Sequence, residues 1–136
     1  MRLFSLLLLS AALLVSVNIP AASEAKQEEK KKAPPLYYKL SPSLIANVHG
    51  KASYVRCNVQ LMTRDEEHLE KITHHTPALR HELLLLLGDQ DGQKLKAPKG
   101  KEKLRKAALK GVRKTMESIT GDPMVEDLYF TSYFVQ

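Results

Sequence analysis

Two periodicities divide the chain. Leu36, Tyr38 and Leu40 alternate with Tyr37 and Lys39, which predicts a strand stopped at Ser41-Pro42. Leu44 to Val48 is a second short extended run, closed by His49-Gly50. From Ala52 to Met62 the alternation is strict. Val55, Cys57, Val59 and Leu61 fall on one face, and Tyr54, Arg56, Asn58 and Gln60 on the other. Such a strand rests one face on a core and turns the other to water or a partner.

The period then lengthens. Leu69, Ile72, Thr76, Leu79, Leu83 and Leu86 recur every three or four residues, the stripe of an amphipathic helix starting near Asp65. Asp65, Glu66, Glu67 and Glu70 crowd its first turns, where the helix dipole favours negative charge. Pro77 interrupts the pattern, so either a kink or two helices with Thr76 as the second cap are expected. Gly88 ends the stripe, and Gly88 to Pro98 reads as a turn-rich connection. Pro98 suits the first turn of a further helix, with Leu104, Ala108, Val112, Thr115 and Ile119 as its buried stripe and Gly121-Asp122-Pro123 as its stop. Val125 to Gln136, rich in β-branched and aromatic residues, reads as a final strand. Strands, then two helices, then a strand predict an α+β domain: a small, mostly antiparallel sheet with two helices packed on one face.

Composition adds bounds. With 136 residues there is room for one ordinary domain, and with no Trp and 6% aromatics its core must be aliphatic. A single Cys excludes an intramolecular disulfide and a cysteine-built zinc site. The first 25 residues read as an export signal: Arg2, an apolar run from Leu3 to Val17 broken only by serines, then Pro20 and a small-residue site at Ser23-Glu24-Ala25. The competing reading is an uncleaved membrane anchor, because Leu3 to Ala22 is a charge-free stretch of 20 residues. Residues 26–35 (KQEEKKKAPP) form a charged, proline-ended linker with nothing to bury, and the folded domain is expected over 36–136. The net charge of +6 survives removal of residues 1–25, which carry one basic and one acidic side chain.

Candidate chemistry is sparse. His68 and His75, like His74 and His81, are seven apart, about 10 Å along a helix and too far to share a zinc ion. The adjacent His74 and His75 would diverge on a helix, so no metal site is predicted. Cys57 sits on the apolar face of the long strand, where a free Cys behaves as a small hydrophobe. Asp89-Gln90-Asp91-Gly92 has its glycine too early for a calcium loop and Gly100 at the twelfth position, so it reads as a turn. No glycine-rich phosphate loop is present, and neither an enzyme nor a cofactor is expected.

One surface feature stands out. From Lys94 to Lys114 there are ten basic residues and one acid, Glu102. With the apolar stripe facing inward, Lys99, Lys103, Lys106, Lys110, Arg113 and Lys114 project outward as a candidate partner-binding band. It suits an acidic partner surface or, alternatively, anionic lipid or polysaccharide. Nucleic acid is not expected, since the export signal separates the protein from it and no aromatic residue interleaves to stack bases.

Four segments in order resemble the FliL family of flagellar basal-body proteins: YYKLSPSLIANV; THHTPALRHELLLLLGDQ; LKAPKGKEKLRKAAL, similar to a Leu-x-x-x-x-Gly-Lys-x-x-Leu-Arg signature; and the terminal VEDLYFTSYFVQ. The resemblance spans about Tyr38 to Gln136. It implies a stomatin-like periplasmic domain at the inner membrane, association with the motor stator or other basal-body proteins, and assembly of copies into a ring. It also implies a non-catalytic role in flagellar rotation, motility and chemotaxis. The chain departs from the family pattern in starting directly with a signal-like segment and in its lysine-rich second helix.

Overall fold

The structure, a computed structural model, describes residues 32–52 and 54–136; the expected signal at 1–25 and the linker up to residue 31 lie outside them. Lys32 to Pro35 lead without regular structure into strand β1.

The two extended runs expected at the start are one strand, β1 (Leu36–Asn47). Leu40 lies opposite Val59 and Leu44 opposite Cys57 of β2 (Tyr54–Thr63), so three residues of β1 face Asn58 alone. This bulge of two extra residues absorbs Ser41-Pro42 without changing which face the leucines take, because a spacing of four preserves the period of two. Pro42 lacks an amide hydrogen and is tolerated because β1 is an edge strand. Ser43 donates its hydroxyl to Asn58 Oδ1, and Arg80 donates to the Pro42 carbonyl. β3 (Asp127–Val135) completes an antiparallel sheet ordered β1-β2-β3. The last residue is sewn in as well, since Tyr54 and Gln136 exchange two backbone bonds at 2.9 and 3.0 Å.

Helices cover one face of this sheet. α1 (Glu66–His74) starts where expected, with the Asp65 carboxylate accepting the His68 amide. That bond holds the Asp65 carboxyl below its usual range. At Pro77 the chain forms two helices rather than a kinked one, and α2 runs Thr76–Gly88. Thr76 is not the cap; His75 occupies that position without a side-chain bond. The Thr76 hydroxyl instead donates to the Thr73 carbonyl at 2.7 Å and shares a 2.7 Å hydrogen bond with the Tyr38 hydroxyl, tying the helix break to β1. The expected turn before Pro98 contains a short helix, α3 (Gly92–Lys96), capped by Asp91, whose Oδ1 accepts the amides of Gln93 and Lys94. Leu95 gives this segment its reason to fold, being 2% exposed. The long helix α4 (Pro98–Thr120) ends at Gly121, whose φ of 83° is the left-handed conformation a C-terminal glycine adopts readily.

The core is aliphatic, as the composition requires. Val55, Cys57, Val59 and Leu61 pack with Leu40, Leu44 and Leu128 beneath Ile72, Leu79, Leu83 and Leu87. The buried stripe of α4 is Leu104, Ala108, Val112 and Met116. Thr115 is only half-buried and Ile119 is 47% exposed, so the expected stripe is corrected in its last two turns. The partners of α4 select a run of four-residue steps ending on Met116, a choice invisible to a sequence that offers apolar side chains at both positions. Leu87 likewise replaces Leu86 as the innermost residue at the end of α2. Among the described residues no helix is long and apolar enough to cross a membrane.

Candidate functional site

The ten basic residues of the Lys94–Lys114 segment separate into three groups. Lys94 and Lys96 belong to α3. Lys101 and Arg105 turn toward the sheet. The Lys101 ammonium lies 5.0 Å from the centre of the Tyr133 ring. Arg105 donates twice to Glu102, at 2.8 and 2.9 Å, and reaches Asp127 Oδ1 at 2.8 Å and the Leu128 carbonyl at 3.2 Å. The guanidinium therefore bolts α4 to the start of β3. Its bonds hold the Glu102 carboxyl below the usual range and push Arg105 itself further up.

This consumes Glu102, the one acid in the segment. The six remaining residues, Lys99, Lys103, Lys106, Lys110, Arg113 and Lys114, are all exposed. Among the described residues none of them forms an ion pair. At about 100° per residue they fan over about 100° on the side away from the buried stripe, along about 22 Å of helix. The structure therefore brings together all six residues of the expected band. Towards its C-terminal end, Lys106, Lys110, Arg113 and Lys114 border, with Glu117, a shallow groove of about 640 Å³ with Leu109 and Pro123 as its apolar part.

Titratable groups near the other end of the sheet are engaged locally. A groove of about 490 Å³ holds Arg64, His68, Asp122 and Glu126, but Arg64 pairs with Glu126 at 2.9 Å and His68 lies 3.8 Å from Asp122. His74 and His75 do not diverge: their ring centres are 4.9 Å apart, edge to face, because His75 has left the helix. Burial pushes the Cys57 thiol up to about 11, which leaves almost no thiolate at neutral pH.

The structure also accounts for the Leu-x-x-x-x-Gly-Lys-x-x-Leu-Arg pattern residue by residue. Leu95 is buried, and its carbonyl accepts the Tyr133 hydroxyl at 3.0 Å. At Gly100 an added Cβ would lie 1.7 Å from the Lys94 carbonyl oxygen, so only glycine allows α4 to start that close to α3. Lys101 covers Tyr133, Leu104 is buried, and Arg105 forms the bolt just described. The terminal segment supplies the other half: Tyr133, Asp127 and Leu128, together with Glu126 for Arg64. These partners, distant along the chain, are missed by sequence reasoning, since nothing local in either segment points to the other. The pattern is a scaffold that presents the band, whose residues stand at its unspecified positions (Lys99, Lys103) or beyond it (Lys106, Lys110, Arg113, Lys114).

The sequence model of the family described as "Flagellar basal body-associated protein FliL" matches residues 37–136, and the chain belongs to that family. No curated protein matches the chain.

Proposed function

We propose that this protein is an exported, non-catalytic accessory of the flagellar motor, which supports or modulates rotation in motility and chemotaxis by docking on stator or basal-body proteins from the periplasmic side of the inner membrane. Family membership supports the motor setting. The observation that carries the docking mode is the band of six exposed basic side chains, none of them in an ion pair among the described residues, with Glu102 already committed to Arg105 and Glu117 bordering the band at its C-terminal end. Like charges this close repel one another by a few tenths of a kcal/mol per neighbouring pair. An acidic surface on a motor component, or on the next copy in a ring, relieves that repulsion and gains from complementarity.

The combined substitution Lys103→Glu, Lys106→Glu and Lys110→Glu tests this reading. All three sites are exposed, so the variant is expected to fold, each change costing under about 0.5 kcal/mol. Recruitment of a fluorescent fusion to motors should fall, swimming should slow, and binding of the parent protein to isolated basal bodies should weaken as salt rises. A folded triple variant that localises and swims normally would leave the band as a solvated helix face.

Residues 1–25 serve in this reading as the export signal, with 26–35 as a linker to the domain. Mass spectrometry of the protein from cells should then find a new N-terminus near Lys26. An intact Met1 in the membrane fraction would replace the signal with a retained anchor.

A further inference from the structure

The sheet has a second face, and among the described residues no helix covers it. Four of the six large hydrophobic residues exposed in the domain lie there: Tyr37, Ile45, Tyr129 and Phe134, between 37% and 56% exposed. Cross-strand register arranges this face in rows. Ile45, Arg56 and Phe134 form one row, and Lys39, Gln60 and Tyr129 another. The aromatic rings gather in two pairs, Tyr54 with Phe134 at 6.3 Å and Tyr37 with Tyr129 at 6.2 Å. The pairs are centred about six β2 residues apart, or about 20 Å along the strand.

Between them the surface is polar. Asn58 faces Ser132, and with Oδ1 accepting from Ser43 its half-buried amide keeps its N–H groups as donors. Gln60 adds a second amide. The charges on this face are Arg56 and Lys39. The one carboxylate carried by the strands, Asp127, lies at the start of β3 beside Tyr129, whose hydroxyl it pushes up, and is paired with Arg105 at 2.8 Å.

We infer that this face binds a carboxylate-bearing polysaccharide strand laid along β2. The aromatic pairs offer flat surfaces for the C–H faces of sugar rings at either end. The amides fit ring hydroxyls, which both donate and accept, and Arg56 and Lys39 complement sugar carboxylates. A protein partner fits less well, because protein interfaces place the apolar residues at the centre and the polar ones at the rim, the reverse of this order. A second copy laid face to face about a twofold axis would set these uncompensated basic residues against their counterparts.

The test uses the purified full-length protein and polygalacturonate, with fully methyl-esterified polygalacturonate and dextran sulfate as comparisons, in affinity electrophoresis. The expected result is retardation by polygalacturonate that falls at least tenfold on esterification. It should fall about as far in Arg56→Gln, in Lys39→Gln and in Phe134→Ala, each confirmed folded by circular dichroism. The triple α4 variant should retain it. Absence of retardation overturns the inference. So does retardation equal in dextran sulfate and lost only in the α4 variant, which would mark simple charge attraction. A concentration-dependent dimer abolished by Phe134→Ala would assign the face to a second copy instead. Should one of the two basic-to-glutamine variants fail to fold, the other decides.

Discussion

Val112→Asp is expected to destabilise the domain by about 3 kcal/mol or more, lowering its melting temperature by about 12–24 °C. Val112 is fully buried, in the middle of the α4 stripe and within the core cluster. An aspartate there must either bury an unpaired carboxylate or take up a proton, and it also gives up the apolar contacts of the valine. Total stability for a domain of this size is about 5–15 kcal/mol, so the loss is a large fraction of it. Ile119→Asp is the matched control. The bare helical spacing of the sequence places both residues in one stripe, whereas the structure leaves Ile119 47% exposed. Its substitution should therefore cost only about 1 kcal/mol, from the half of the side chain that is buried and the negative charge placed in the last turn of the helix. Thermal unfolding followed by circular dichroism separates the two readings. Equal losses at both sites, or a loss at Ile119 alone, would show that the helix phase described above is wrong.

Gly100→Ala should lower stability by about 2–3 kcal/mol, against the ordinary trend. Within a helix, alanine is normally better than glycine by about 0.5–1 kcal/mol, because glycine has more freedom to lose on folding. At Gly100 the added carbon would sit 1.7 Å from the Lys94 carbonyl oxygen and 2.7 Å from its carbon. Both atoms are backbone, so α3 and α4 must separate, and the Leu95 anchor and its Tyr133 bond move with them. Gly111→Ala shows the opposite case. There the nearest atom is the end of the Glu82 side chain at 3.0 Å, which can swing aside, so that substitution should be neutral or stabilising. Urea midpoints for the two variants should move in opposite directions or differ by the clash alone. A Gly100→Ala midpoint at or above the parent's would mean that the two helices do not approach as closely as described.

The same two sites mark how far sequence reasoning reached. Helix α4, its start at Pro98, its stop at Gly121 and the inward positions Leu104, Ala108 and Val112 were all legible, because spacing and turn chemistry are local properties. The last turns were not, since Met116 and Ile119 are both apolar and only the neighbouring elements choose between them. α3 was hidden because five residues are too few to show a period; it exists through the Asp91 cap and the burial of Leu95. Ser41-Pro42 signalled a break in β1, but a bulge on an edge strand answers that signal as well as a chain end does.

By itself, then, the sequence determined the α+β class, the long central strand with its inward Val55-Cys57-Val59-Leu61 face, the aliphatic core and the outward direction of the basic band. These depend on periodicity and composition, which any fold of this chain must satisfy. Tertiary structure alone decided which charges stay free. Arg105 and Glu102 look like members of the same charge run as Lys103 and Lys106 until β3 brings Asp127 to the guanidinium, which bonds both carboxylates and so leaves the free band. It also decided that Tyr37, Tyr54, Tyr129 and Phe134, from three separate strands, share one face that no helix among the described residues covers. Pairing between residues tens of positions apart is set by sheet register and helix packing, and no local pattern encodes it.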